Sequence, residues 1–183
     1  MERWIHGDLV AFEKLYRKYE KLVFKNAYLI TGSKDDAEDI VQDVFLAVWR
    51  YRQTFDPIKS KFTTWLQRIT INECTRKRKQ ATDFTLIDEI DFPETTSRQP
   101  EEILVTKSEY EALLKTLSEM GEKHRTAVVL RYLSDLSYAE IAEVLNVPIG
   151  TVKSRLNHAL ACLKERLAFE WEAKPEKEGE HGL

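Results

Sequence analysis

The sequence predicts an all-α protein made of two small helical domains joined by a flexible acidic linker. Its 183 residues include only six glycines and five prolines, so long helices are seldom interrupted. Hydrophobic residues make up 43% of the chain and recur mostly at spacings of three and four, as one face of an α-helix requires. These two features indicate helices packed around apolar cores and exclude a disordered chain.

The N-terminal domain is assigned to residues 1–80. Gly32 interrupts the first helical pattern, and Ser33 is expected to cap the next helix, whose first turn carries two aspartates. Asp56 and Pro57 mark a loop, because proline disfavours the helical conformation in the residue before it. The predicted helices of this domain cover residues 8–30, 35–52 and 61–79.

A change in composition marks the linker, which is assigned to residues 81–107. This stretch holds seven acidic and two basic residues, whereas residues 1–80 hold 16 basic and 11 acidic residues. The basic excess of the first domain suits a polyanionic partner although the whole chain has a net charge of −3. Helical periodicity returns in the C-terminal domain (108–168), and an acidic tail follows (169–183). The predicted helices here cover residues 108–119, 122–133, 137–145 and 148–168.

The C-terminal domain contains a predicted helix-turn-helix. Ser137 and Glu140 have the spacing of a capping box, and Pro148 suits the first turn of the following helix. The apolar stripe of that second helix comprises Val152, Leu156, Ala159, Leu160, Leu163 and Leu167. The other side of this helix carries polar and basic residues that suit contact with a DNA major groove. We call this surface the reading face, and it consists of Lys153, Ser154, Arg155, Asn157 and His158. An ordinary solvated helix face is the alternative.

The helix predicted over 35–52 has two distinct faces. One face is apolar and is expected to be buried. The other groups an exposed leucine with acids and an amide, which is typical of a protein-docking surface. This predicted docking patch consists of Asp39, Gln42, Asp43 and Leu46. A single exposed leucine with no partner is the simpler alternative.

Basic and aromatic residues are interleaved in the loop before the third helix and along that helix. Such a mixture suits single-stranded nucleic acid, in which bases stack and phosphates need neutralising. The candidates are Phe55, Lys59, Lys61, Arg68, Asn72 and Arg76. The alternative is that the aromatic rings of this region, Phe62 and Trp65 among them, belong only to the core.

Other function classes find little support. Cys74 and Cys162 lie 88 positions apart, which excludes a disulfide scaffold and favours buried thiols. The four histidines accompany no nucleophile, base or metal-ligand spacing, so no enzymatic activity, cofactor or metal is expected. The longest apolar run, 44–49, is too short to cross a bilayer, and the N-terminus lacks the apolar stretch of a signal peptide. A cytoplasmic protein without membrane insertion is therefore expected.

Four stretches occur in a characteristic order. They are GDLVAFEKLYRKY (7–19), DDAEDIVQDVFLAVWR (35–50), FTTWLQRITIN (62–72) and LSYAEIAEVLNVPIGTVKSRLNHALACLKERL (136–167). Taken together they resemble bacterial extracytoplasmic-function (ECF) sigma factors, the small two-domain branch of the RNA polymerase sigma factors. The resemblance covers nearly the whole ordered part of the chain.

The resemblance implies a non-catalytic subunit that directs core RNA polymerase to specific promoters and initiates DNA melting. The docking patch would bind the polymerase, and the loop at 54–61 would capture a flipped base of the melted −10 element. Arg68, Asn72 and Arg76 would face the promoter, and the reading face would contact the double-stranded −35 element. The resemblance also implies an anti-sigma factor, from which a stress signal releases the protein, and a monomer when no partner is bound.

The main alternative is a helix-turn-helix regulator that acts as a dimer on palindromic DNA. Such a regulator needs a sensor or dimerisation surface within residues 1–107. No ligand-pocket pattern is present there, and the basic first domain is difficult to explain as a sensor.

Overall fold

The computed structural model describes residues 2–81 and 107–172, and within these ranges all regular structure is helical. The helices are α1 (Leu9–Thr31), α2 (Lys34–Arg50), α3 (Phe62–Ala81), α4 (Lys107–Glu119), α5 (Glu122–Tyr132), α6 (Tyr138–Leu145) and α7 (Ile149–Glu172). Two short 3₁₀ helices, Glu2–His6 and Arg52–Thr54, precede α1 and follow α2. The predicted linker lies almost wholly outside the described residues, as does the tail after residue 172.

The seven predicted helices are all present, and six of them agree at both ends to within two residues. The exception is α7, which was predicted to end at 168 but continues to Glu172, into the segment assigned to the tail. No proline lies between Ile149 and Pro175, so no helix-breaking residue ends α7 earlier.

Side chains at the helix ends explain why these boundaries are readable from sequence. Asp8 Oδ1 accepts hydrogen bonds from the backbone N–H groups of Val10 (3.0 Å) and Ala11 (3.1 Å) at the start of α1. Ser33 Oγ accepts from the backbone N–H of Asp36 (3.2 Å), which confirms the predicted cap of α2. Gly32 ends α1 with a φ of 79°, a conformation that glycine adopts without steric penalty.

The N-terminal domain is a bundle of α1, α2 and α3 around an aliphatic core. Val23 of α1, Ile40 and Val44 of α2, and Leu66 of α3 are almost completely buried. Each belongs to an apolar stripe at helical spacing, so the amphipathic pattern directly specifies which face of each helix points inward.

An aromatic cluster closes one end of this bundle and consists of Trp4, Phe55, Phe62 and Trp65. The ring centroid of Trp4 lies 6.0 Å from that of Phe55 and 5.5 Å from that of Phe62. Trp4 is only 1% exposed. The cluster joins the N-terminal 3₁₀ helix, the loop before α3 and the first turn of α3, so it holds the loop in place.

In the C-terminal domain, α7 packs against α4, α5 and α6. Ser137 and Glu140 form the predicted capping box at the start of α6. Asn146 ends α6 with a φ of 50°, a left-handed conformation that asparagine tolerates better than most residues. This residue produces the tight turn into α7 and completes the predicted helix-turn-helix.

One residue of the predicted apolar stripe of α7 is not buried. Leu160 is 40% exposed, whereas Val152, Leu156 and Ala159 are at most 1% exposed. Leu160 lies at the edge of the stripe, because it is rotated by about 80° from Val152 on a helix with 100° per residue. The prediction that Leu160 belongs to the core is therefore wrong.

The two domains contact each other directly. Helix α3 packs against α6, and α1 packs against α4 and α5. Polar contacts cross the interface: Asn26 Nδ2 donates to Ser134 Oγ at 2.7 Å, and Arg78 pairs with Glu122 at 2.6 Å. Among the described helices, none combines the length and hydropathy that crossing a bilayer requires.

Replacing Trp4 by alanine should lower the free energy of unfolding by about 3–5 kcal/mol, because it leaves a cavity in the aromatic cluster. Urea denaturation followed by circular dichroism measures this change. The control is Ile58→Ala in the neighbouring loop, where the side chain is 94% exposed and the loss should be about 0.5 kcal/mol or less. Equal stability of the two variants would contradict the assigned role of Trp4.

Candidate nucleic-acid and protein-docking surfaces

The docking patch lies on the side of α2 that faces away from the core. Its four residues follow one another at helical spacing and form a single surface over two turns of the helix. Leu46 is 63% exposed, Asp39 and Gln42 are also exposed, and Asp43 is half-buried. The predicted exposure of this leucine is confirmed.

Both aspartates of the docking patch form ion pairs with the end of α3. Lys77 Nζ lies 2.6 Å from Asp39 Oδ2, and Arg76 Nη2 lies 2.6 Å from Asp43 Oδ2. Arg76 also binds Glu73, and this hydrogen bond is the largest of the causes that raise the pKa of its guanidinium. The pKa of Lys77 is raised mainly by its hydrogen bond to Asp39. The patch and the end of α3 therefore form one charged network.

The loop before α3 is held by a local turn on the aromatic cluster. Asp56 Oδ1 accepts from the backbone N–H of Ile58 at 3.0 Å, which is the main cause that lowers the pKa of Asp56. Lys59 is exposed and lies 3.3 Å from Asp56. Phe55 is half-buried against the rings of Trp4 and Trp65. The side chains of Lys59 and Ile58 therefore face the solvent, while Phe55 anchors the loop to the aromatic cluster.

The remaining candidates of the first domain lie at the start and along the exposed side of α3. Lys61 Nζ lies 3.0 Å from Glu140, and Arg68 Nη2 lies 2.6 Å from Glu143. Asn72 is exposed one turn after Arg68. The structure thus brings two of these cations into contact with the second domain, which the sequence pattern did not predict.

The reading face lies on α7 directly after the tight turn. Lys153, Ser154, Asn157 and His158 are exposed, whereas Arg155 is half-buried. This arrangement places small polar groups at the centre of the face and cations at its margins, as groove binding requires.

One member of the reading face has a partner that sequence analysis missed. The imidazole ring of His158 lies 4.5 Å from that of His124 on α5, measured between ring centroids. Burial lowers the pKa of His124, and the nearby His158, Arg155 and Lys123 lower it further. Sequence analysis missed this contact because 34 positions separate the two histidines and no local pattern links them.

The two cysteines differ in burial. Cys74 is 1% exposed, and burial raises the pKa of its thiol to about 12. Cys162 is half-buried. Over residues 2–81 and 107–172 no three side chains of the metal-binding types come together.

Glu140, which contacts the candidate residue Lys61, has a strongly lowered pKa. The backbone N–H of Ser137 donates to Glu140 Oε2 at 2.8 Å, and Lys61 lies at the other oxygen. The hydrogen bond from the Ser137 backbone is the largest cause that lowers the pKa of Glu140, from 4.5 to about 2. The carboxylate thus serves both the cap of α6 and the contact between the domains.

Replacing Glu140 by glutamine keeps the shape of the cap but removes its charge. Because the folded-state pKa is depressed, the stabilisation by ionised Glu140 is complete above about pH 4.5 and is lost as the pH falls toward 2. At pH 7 the variant should be less stable by about 1 kcal/mol, the difference between charged and neutral hydrogen bonds. Urea denaturation of both proteins from pH 7 to pH 3 measures this gap, with Glu165→Gln as an exposed control. A gap that stays constant over this range would contradict the assignment.

Two family models match the chain in sequence order. Sigma-70 region 2 matches residues 15–83, and Sigma-70, region 4 matches residues 110–163. The chain is also 32% identical over 171 residues to the ECF RNA polymerase sigma factor SigW of Bacillus subtilis (strain 168). That alignment covers 88% of this chain and 91% of SigW.

Solved structures share the fold. The sigma factor RpoE in complex with the anti-sigma factor NepR from Bartonella quintana has a TM-score of 0.71 at 24% identity, covering 86% of this chain and 97% of RpoE. CnrH in complex with the cytosolic domain of CnrY has a TM-score of 0.67 at 24% identity, covering 91% of this chain and 93% of CnrH. Since both sigma regions match in order and SigW aligns along most of its length, the chain belongs to the extracytoplasmic-function family of RNA polymerase sigma factors.

Proposed function

We propose that this sigma factor divides promoter recognition between its two domains, with residues 1–80 acting at the −10 element and residues 108–168 at the −35 element. As a sigma factor it serves transcription initiation and is not an enzyme. The observation that carries the proposal is the exposed reading face of a capped helix-turn-helix, on the same chain as a basic and aromatic first domain.

The C-terminal domain reads double-stranded DNA through α7. Lys153 and Arg155 lie at the margins of the reading face, where they can reach phosphates or guanine edges, while Ser154 and Asn157 allow close approach to the groove. His158 adds a polar ring that lies 4.5 Å from the ring of His124, measured between centroids.

The N-terminal domain contacts the melted strand of the −10 element. The aromatic cluster gives the loop a rigid base, and a rigid loop can hold an extruded base at lower entropic cost than a mobile one. Lys59 and Lys61 neutralise phosphates beside the loop, and Arg68, Asn72 and Arg76 extend the contact along α3. Phe55 supports the loop from within the cluster.

Core RNA polymerase binds the docking patch. An exposed leucine ringed by polar groups matches the anatomy of an interface whose apolar centre has a polar rim. The paired aspartates are oriented by Arg76 and Lys77, so a partner meets carboxylates in a defined geometry.

An anti-sigma factor is the proposed regulatory partner. RpoE and CnrH, which share this fold, were each solved in a complex, RpoE with the anti-sigma factor NepR and CnrH with the cytosolic domain of CnrY. We extend an anti-sigma partner to this chain and propose that a stress signal releases the protein as a monomer in the cytoplasm, where it meets the polymerase.

Changing Asp39 to asparagine together with Gln42 to alanine should weaken binding to core polymerase by at least about tenfold, because two polar contacts to the interface are lost. Fluorescence anisotropy of the labelled sigma factor titrated with core enzyme measures the affinity. The control is Glu38→Gln, which removes an exposed carboxylate that pairs with Lys34 and lies about 100° from Asp39 around the same helix. Unchanged affinity with native-like melting would rule out the docking patch.

Transcription from fragmented genomic DNA tests the proposed function. Core bacterial polymerase with this protein should produce new start sites that share two spaced upstream motifs. Arg155→Ala should reduce initiation about 5- to 100-fold at those promoters, as expected from a base contact of about 1–3 kcal/mol. Mapping of RNA 5′ ends gives both results.

The specificity of that effect depends on two controls. Lys164 lies about 13 Å beyond Arg155 along α7, so Lys164→Ala should leave initiation unchanged. A template without the upstream motif should respond equally to the wild type and to Arg155→Ala. Absence of new start sites together with dimeric binding to palindromic DNA would instead support a helix-turn-helix regulator.

A further inference from the structure

The acidic edge of α6 lies against cations of the N-terminal domain. Glu140 and Glu143 are one turn apart on α6, while Lys61 directly precedes α3 and Arg68 follows it two turns later. The nitrogen-to-oxygen distances are 3.0 Å for Lys61–Glu140 and 2.6 Å for Arg68–Glu143. Two carboxylates of the C-terminal domain thus form ion pairs with two cations of the N-terminal domain.

These contacts have the chemistry of phosphate binding. Ammonium and guanidinium groups bind carboxylate and phosphate oxygens with similar charge-assisted hydrogen bonds. Thr64 adds a neutral donor, since its hydroxyl lies 3.3 Å from Glu140 Oε1. The same side chains therefore cannot contact a nucleic-acid backbone while α6 occupies them.

The neighbouring part of the interface is polar and incompletely hydrogen-bonded. Asn26 and Gln67 are both 0% exposed, and Asn26 Nδ2 donates to Gln67 Oε1 at 2.8 Å and to Ser134 Oγ at 2.7 Å. Within the described residues, Asn26 Oδ1 and Gln67 Nε2 lack a hydrogen-bond partner. Water would satisfy both groups after separation of the domains, so their burial weakens the closed arrangement. An interface of this kind is suited to opening.

We propose that α6 acts as an intramolecular mimic of promoter phosphates and holds the free protein in a closed state. In that state Glu140 and Glu143 occupy Lys61 and Arg68, and binding of single-stranded DNA requires the domains to separate. The inhibitory consequence rests on the proposed role of α3 at the −10 element, whereas the closed contact itself does not.

The closed contact is tested by charge reversal without any DNA. Glu143→Lys places like charges against Arg68 and should increase the radius of gyration of the full-length free chain, measured by small-angle X-ray scattering. Adding Arg68→Glu restores an attractive pair with reversed signs and should return the radius toward the wild-type value. If Glu143→Lys stays as compact as the wild type, the proposal is overturned.

The inhibitory effect is tested with a neutral substitution. Glu143→Gln leaves Arg68 in place and should raise the affinity for a fluorescein-labelled single-stranded DNA 12-mer of mixed sequence by at least about fivefold. Fluorescence anisotropy at fixed salt measures the affinity. The control is Glu119→Gln, which removes the same charge from a similarly exposed pair with Arg166 inside the C-terminal domain.

The outcomes separate the two claims. A gain in affinity for Glu143→Gln but not for Glu119→Gln supports the mimicry. Equal gains in affinity for both variants would show a general effect of charge and would overturn the mimicry. The Glu143→Lys chain could open although neither the wild type nor any variant binds the 12-mer. That result would disprove the proposed role of α3 at the −10 element, and with it the claim that the closed contact inhibits DNA binding.

Discussion

Helix α3 is packed on two sides, and the position of each candidate surface of the first domain depends on this double burial. One stripe, with Phe62 and Leu66, joins the core of the N-terminal domain, and a second stripe contains the buried polar residues Thr64 and Gln67. Thr64 bonds to Glu140 of α6, while Gln67 reaches the second domain through Asn26. A shift of α3 would therefore alter the loop, the docking patch and the domain contact together.

Most of the charged candidate residues of the N-terminal domain form an ion pair in the structure. Lys61, Arg68 and Arg76 each contact a carboxylate. Lys77 likewise pairs with Asp39 of the docking patch. These pairs are largely exposed, and exposed ion pairs contribute only about 0–1 kcal/mol. Exchange of the carboxylate for a phosphate therefore costs little in the ion pair itself, and what opposes binding at Lys61 and Arg68 is the position of α6 against them.

Local chemistry explains why so much of the fold is predictable. Glycine, serine and asparagine at the helix ends act on backbone groups three or four residues away, so Ser33 and Ser137 mark the starts of α2 and α6. Apolar spacing similarly identifies the buried faces of α2 and most of α7. The exception, Leu160, lies at the margin of its stripe, where periodicity alone cannot distinguish core from surface.

Neighbours along the chain account for the helical class, the seven helices, the caps of α2 and α6, the helix-turn-helix and the exposure of Leu46, so all of these could be predicted from the sequence. Contacts between residues far apart in sequence become visible only in the folded chain. The tertiary structure placed Trp4 in the aromatic cluster, brought the rings of His124 and His158 into a tilted contact, and packed α6 against α3. No periodic pattern encodes these contacts, because each joins residues far apart in sequence and depends on how whole helices pack.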